Sequence, residues 1–319
     1  DFNDYSNGSW DVDSNVHKIY QGQDKLSNKA ITISTWQSIY EQDKNFFTQF
    51  DFIIGDEAHG AKAKSLNTIM SYLSNAAYRV GTTGTLDNST VNKLVIVGNF
   101  GPVYQVVSTK ELMDSETISK LNIKCLVLKY PDEVRKLVSK AEYKDEIDFI
   151  VSHRNRNQFV VNLAFDLTGN TLILFNYIEK HGKPLYKLLK EKLLNSNRNV
   201  FYVAGSVETE ERENIRKIVE TETDAVIAAS LGSFSTGTNI RNIHNIIFAS
   251  PTKSQIRVLQ SIGRGLRKSD NGRECSLYDI SDDLSWKKKK NYTLTHAIER
   301  IKIYDSEGFD YKLYEIPIQ

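Results

Sequence analysis

Short runs of almost unbroken apolar residues, separated by longer amphipathic stretches, constrain this chain more than any other feature. The runs fall at residues 30–34, 52–55, 79–82, 171–175, 200–203, 225–229 and 246–249. Runs this short and this apolar read as strands covered on both faces, the condition of strands in a parallel sheet. Between them, helices are predicted over 65–74, 144–165, 183–194, 208–220, 254–262 and 293–304. Strand and helix therefore alternate, the pattern of an α/β fold with helices packed on parallel sheets. Gly169-Asn170 is expected to cap the long helix before the strand at Thr171. The stretch 101–130, with Pro102 and Pro131 near its ends, reads as the crossing between two domains. A length of 319 residues also suits two domains, expected at 1–110 and 111–319.

With 40% hydrophobic and 25% charged residues the chain can bury real cores, and nothing in it reads as disordered. No stretch approaches the roughly 18 apolar residues of a spanning helix, and no basic-then-apolar leader is present, so no membrane partner is expected. Cys125 and Cys275 each lie in an apolar strand-like run, which reads as two reduced core residues and favours a reducing, cytoplasmic setting. A net charge of +1 does not by itself point to nucleic acid. Such a partner would be met by local basic patches, for which Arg154/Arg156, Arg264/Arg267/Lys268 and Lys287 to Lys290 are the candidates. For the lysine run, a solvated loop is the plain alternative.

Chemistry concentrates in a few segments. Asp56-Glu57-Ala58-His59 directly follows Phe52-Ile53-Ile54-Gly55, so two carboxylates stand at the end of a buried strand, where a ligand of a parallel sheet would sit. Such a pair can hold Mg²⁺ and activate a water. Gln260-Ser261-Ile262-Gly263-Arg264-Gly265-Leu266-Arg267 places two arginines three apart, on one face of a helix, and their planar forks suit phosphate oxygens. Gly81-Thr82-Thr83-Gly84-Thr85-Leu86 sets hydroxyls in a glycine-flanked turn, and Ser235-Thr236-Gly237-Thr238 offers hydroxyls and backbone N–H groups in a loop.

In this order the segments resemble the motifs of the superfamily 2 helicases, the DNA and RNA translocases built on two RecA-like domains. They are most similar to the phage recombination and repair members. Residues 34–37 resemble motif Ib, 56–59 motif II, 81–86 motif III, 235–238 motif V and 260–267 motif VI. The resemblance implies that Asp56 contacts Mg²⁺ through water, that Glu57 orients and deprotonates the water attacking ATP, and that His59 senses the metal site. It implies that Arg267 serves as an arginine finger, Arg264 as a γ-phosphate contact, and Gln260 as a residue facing the nucleotide. Gly237 and Thr238 would border the nucleotide. Ser235 and Thr236 would touch a DNA phosphate, with Thr35, Trp36 and Gln37 also on the nucleic-acid backbone. Thr83 and Thr85 would couple motif III to motif II. Asn239 stands where many members carry an aspartate, which puts a ribose contact there in doubt. For His59 a helix-surface histidine, for Trp36 a packing residue, for Gln260 an exposed glutamine and for the threonines simple turn chemistry remain the alternatives.

Family members cradle the phosphates with a G-x-x-x-x-G-K-[ST] loop ahead of motif II. These 319 residues contain no such loop, because Gly182-Lys183 is followed by Pro184 and has Tyr177 in the place of the first glycine. The chain therefore reads as the C-terminal part of a longer protein, its first RecA-like domain truncated at the N-terminus. Natural loss of the loop is the alternative. The expected protein is a monomeric, ATP- and Mg²⁺-dependent motor on branched or single-stranded DNA in recombination, repair and fork processing, with little ATP turnover in this stretch alone. A non-hydrolysing nucleic-acid-binding module, a restriction-type translocase and an RNA helicase are the competing readings.

Overall fold

The computed structural model describes residues 6–20, 24–84, 90–115, 117, 120–205, 209–235, 242–251 and 274–319. The chain divides into two units, Asp1–Tyr104 and Gln105–Gln319.

In the first unit β1 (Val16–Ile19) pairs in parallel with β2 (Ile31–Ser34), and β3 (Phe52–Gly55) with β4 (Tyr78–Gly81). Helix α1 (Lys64–Tyr72) and helix α2 (Thr90–Phe100) are the longest helices among its described residues. Ile19, Phe46, Phe47, Ile69, Met70 and Leu73 form its core, with Phe100 packed against them. β3 and β4 depart from the expectation of burial on both faces. Phe52, Ile54, Tyr78 and Val80 are exposed, because the described residues cover this two-stranded sheet from one side.

The second unit is a seven-stranded sheet with every pairing parallel. Its strands are β5 (Leu121–Lys129), β6 (Thr171–Phe175), β7 (Val200–Val203), β8 (Val226–Ser230), β9 (Asn245–Phe248), β10 (Cys275–Asp283) and β11 (Tyr311–Pro317), in the order β11-β5-β10-β9-β6-β8-β7. Alternate side chains of one strand feed two cores: Leu172 and Leu174 of β6 enter one, Ile173 and Phe175 the other. Helices α3 (Tyr143–Ser152), α4 (Arg154–Asp166) and α5 (Lys183–Leu193) supply Ile150, Val160 and Leu189 to the Ile173 side. Helices α6 (Thr209–Thr221) and α7 (Tyr292–Ser306) supply Val219 and Tyr304 to the Leu172 side. Burial of every residue of β6 and β8 accounts for their unbroken apolarity.

Four expectations are corrected. The stretch 101–130 contains β5, an interior strand, rather than a bare crossing. The helix over 144–165 is two helices meeting at His153, whose backbone is extended at φ −68° and ψ 114° and whose ring Nδ1 accepts from Arg156 N at 3.3 Å. That helix pair ends at Asp166 with Leu167 as cap, so Gly169-Asn170 caps nothing. Gly169 instead makes a turn at φ 88°, and the buried Asn170 side chain joins three carbonyls, those of Val219, Glu222 and Asn242, to the Ala225 amide. β10 and β11 are further strands that the run-by-run reading passed over. The helix expected over 254–262 lies outside the described residues.

Candidate active site at the ends of β3 and β4

β3 and β4 finish side by side, Gly55 opposite Gly81, and the backbone keeps the chains together beyond the strands. Thr82 N donates to Gly55 O and Ala58 N to Thr82 O, each at 2.9 Å. Asp56 and Glu57 thereby leave the sheet at its C-terminal edge, and Glu57 takes a left-handed backbone at φ 51°. This strained conformation costs a non-glycine residue about 1 kcal/mol or more. It turns the Glu57 carboxylate outward, where its side chain is 56% exposed.

Hydroxyls of the second segment then bind the first. Asp56 Oδ1 accepts from Glu57 N at 2.9 Å and from Thr82 Oγ1 at 3.0 Å. His59 Nδ1 lies 3.0 Å from Thr83 Oγ1 and 3.1 Å from Glu57 Oε2. A carboxylate only accepts, so Nδ1 carries the proton in this arrangement. The exposed Glu57–His59 contact adds at most about 1 kcal/mol to stability and mainly fixes orientation.

Phe100 of α2 lies beneath both strand ends. A Cβ at Gly55 would stand 2.9 Å from its ring, and one at Gly81 would stand 2.9 Å from its Cγ and 3.0 Å from the Ala58 Cβ. Glycine at both positions is therefore a packing requirement. Gly81→Ala is expected to destabilise the first unit by about 1–3 kcal/mol in urea denaturation, and Phe100→Leu in the same chain to recover part of that loss. Equal stability of Gly81→Ala and wild type would show that the ring does not lie there.

The donor set is oxygen-rich: two carboxylates and two threonine hydroxyls. It fits Mg²⁺, which takes one or two protein carboxylates and completes its shell with water and phosphate. No cluster of three or more His, Cys, Asp or Glu suited to a metal occurs among the described residues.

Other candidates fall in different settings. Trp36, partly buried, packs against the core of the first unit, edge-on to Tyr40 at 6.0 Å. Thr35 Oγ1 bonds Ser38 Oγ at 3.0 Å, and Gln37 is exposed. Ser235 ends a short helix, Leu231–Ser235, that begins where β8 stops. Thr85, Thr236, Gly237, Thr238, Gln260, Arg264 and Arg267 lie outside the described residues. Arg156, expected in a surface basic patch, is wholly buried on Asp282 and cannot meet a phosphate backbone. Gly182 is buried with the Phe175 ring 2.3 Å from where its Cβ would be, which explains the Gly-Lys pair without a phosphate loop.

Sequence reasoning missed a polar anchor at the edge of the second sheet. His181 Nδ1 lies 2.8 Å from Ser250 Oγ, which also accepts from Asn176 N, and His181 Nε2 lies 3.2 Å from Asn157 Oδ1. Burial, helped by the Arg156 charge, lowers the His181 pKa to about 3, so the ring is a neutral connector between the ends of β6 and β9 at physiological pH. Cys125 and Cys275 are buried free thiols, pushed up to about 12 by burial above all. Both remain protonated at neutral pH.

Parallel strands ending in an acid pair tied to a threonine turn, and a second unit built on a seven-stranded parallel sheet, are the α/β architecture of RecA-like domains. The chain belongs to the superfamily 2 helicases. Its residues 1–88 match the family of the type III restriction enzyme res subunit, and residues 155–269 match the helicase conserved C-terminal domain. It is 35% identical over 302 residues to the ATP-dependent DNA helicase UvsW of Enterobacteria phage T4, spanning 90% of this chain and 59% of that protein. The crystal structure of T4 UvsW superposes with a TM-score of 0.54 at 32% identity, covering 95% of this chain and 62% of the other. A fragment of an HsdR subunit of a type I restriction enzyme from Vibrio vulnificus YJ016 shares the fold, with a TM-score of 0.66 at 17% identity over 95% of this chain and 55% of that one. This chain thus spans about three fifths of the length of the T4 helicase.

Proposed function

We propose that the chain carries motifs Ib to VI of an ATP-dependent DNA helicase or translocase that remodels branched DNA in recombination, repair and fork processing. The observation that carries this reading is the pair of carboxylates at the end of β3, Asp56 bound by Thr82 from the end of β4 and Glu57 linked through His59 to Thr83. Asp56 would hold Mg²⁺ through water, and the ion would neutralise charge on the β- and γ-phosphates. Glu57, exposed and outward, orients the attacking water and takes its proton. Thr82 keeps the Asp56 carboxylate in one rotamer, and Thr83 sets the His59 ring beside Glu57, so movement of the threonine turn is felt by the base. Arg264 and Arg267 supply positive charge to the γ-phosphate in the transition state, and Gln260 reports closure. The likeness to T4 UvsW, a protein named as a DNA helicase, supports DNA over RNA.

Strand separation on fork DNA, RNA duplex and blunt DNA tests the substrate class, and preference for the RNA duplex would overturn it. The 319-residue chain by itself should turn over ATP far below the roughly 1–100 s⁻¹ of phosphoryl-transfer enzymes, since it contains no phosphate-cradling loop. In a form that carries such a loop, Arg267→Lys keeps the charge but loses the planar fork. Turnover should fall toward the roughly 10³-fold or greater deficit of a missing arginine finger, with nucleotide affinity nearly unchanged. If the variant loses only DNA affinity, Arg267 is a backbone contact.

A further inference from the structure

The hairpin that follows β10 presents cations on a rigid frame. Trp286 and Lys289 exchange backbone hydrogen bonds of 3.1 Å, closing a tight turn with Lys287 and Lys288 at its tip. Lys287 sits at φ 54°, in the left-handed region that favours glycine. The base is fixed from three directions. The Asn291 side chain accepts from Leu284 N at 3.0 Å and donates to Asp282 O at 3.0 Å and Glu146 Oε1 at 2.9 Å. Arg135 Nη1 donates to Ser285 O at 3.3 Å, and Lys289 Nζ to Ser139 O at 3.4 Å. The last bond brings the exposed Lys140 alongside.

Charge and aromatic surface coincide here. Lys287, Lys288 and Lys290 are exposed and make no ion pair among the described residues. Tyr292 and Tyr143, both partly exposed, meet edge to face at 5.9 Å beside them. Of the neighbouring carboxylates, Glu142 and Asp145 are exposed, while Glu146 is consumed by the Tyr292 and Thr293 amides and the Thr293 hydroxyl. The hairpin also leaves the same C-terminal edge of the sheet as the helix Leu231–Ser235. β10 is separated from β8 by β9 and β6, hence by three strand spacings or about 14 Å. The two-residue turn itself accounts for the left-handed Lys287; what points to a contact surface is the anchored frame, the exposed lysines and the tyrosine pair.

We propose that this hairpin is a separate contact for the phosphodiester backbone of DNA, outside the motif loops. The inference rests on the DNA-motor reading above and adds to it a site that clamps the strand beyond the end of β10. Lysine ammonium groups bind phosphate without sequence preference, and the tyrosine pair offers stacking surface to an unpaired base.

The test is DNA affinity of the 319-residue chain, measured by anisotropy of a labelled single strand and of its duplex across a salt series. Lys287→Gly combined with Lys288→Ala removes two charges, and glycine accepts the positive φ freely, so thermal stability should be equal or higher. The slope of log affinity against log salt is expected to shrink by about 1.8 on duplex, or by about 1.4 on the single strand. Affinity at about 0.1 M salt should drop at least about tenfold on the substrate the hairpin holds. The substrate showing the change identifies which form of DNA the clamp takes. An unchanged slope on both, with wild-type DNA affinity intact, overturns the clamp and leaves the motor reading standing. A wild-type chain with no salt-dependent affinity for either DNA overturns both.

Discussion

Glu57→Gln is expected to abolish ATP hydrolysis while leaving Mg²⁺-ATP and DNA binding in place, in a form of the protein that carries a phosphate-binding loop. The amide keeps the shape of the carboxylate and can still lie against a water, but it has no basicity with which to take the proton. The loss should reach or exceed the roughly 10²- to 10⁴-fold contribution of a positioned general base. Geometry limits collateral damage, since the Glu57 side chain is largely exposed and its one described polar side-chain partner is His59. Single-turnover kinetics with separately measured nucleotide affinity is the appropriate measurement. Hydrolysis within a few-fold of wild type would remove Glu57 from the chemistry. Thr83→Ala supplies the graded comparison: it loses the 3.0 Å contact to His59 but keeps the base, so turnover should fall less than for Glu57→Gln.

Asp282→Ala is expected to cost the second unit about 3–5 kcal/mol, the penalty of leaving a buried cation without its partner. Arg156 reaches Asp282 with Nε at 2.7 Å and Nη2 at 3.0 Å, and Tyr130 donates to the same carboxylate at 2.8 Å. Both members of the ion pair are fully buried. Burial alone would depress the Arg156 pKa, but attraction to Asp282 outweighs it, and the net shift is upward. Arg156→Met together with Asp282→Ala should be less destabilised than the acid variant alone, because no charge is then left unpaired. Trp286 is the single tryptophan of the second unit, so a chain with Trp10 and Trp36 replaced by Phe reports that unit's denaturation by fluorescence. A cost under about 1 kcal/mol for Asp282→Ala would mean that the pair is hydrated.

How far the sequence could be read depended on whether the forces acting at a residue come from its neighbours in the chain. β6 and β8 were legible because full burial demands unbroken apolarity, which is written in consecutive letters. The acid pair was legible because motif II is contiguous and its strand precedes it directly. β11 was not, since it is an edge strand with Leu313 and Tyr314 exposed. β10 was obscured by Asp279, Asp282 and Asp283, acids that look foreign to a buried strand. Each is satisfied by a partner far along the chain, respectively Arg300, Arg156 and Lys129. The break at His153 and the burial of Arg156 share that origin.

The sequence by itself therefore determined the α/β class and the identity of the residues at the ends of β3 and β4, because hydrophobic periodicity and contiguous motifs are local properties. Only the tertiary structure decided that Thr82 holds Asp56, that Thr83 and Glu57 share His59, that Phe100 requires glycine at Gly55 and Gly81, and that Arg156 is a core ion-pair member. Those outcomes depend on which side chains meet across 24 or 26 residues at the acid site and 126 at the ion pair. Hydrogen bonds and close packing act over about 3–4 Å, a distance that separation along the chain does not encode.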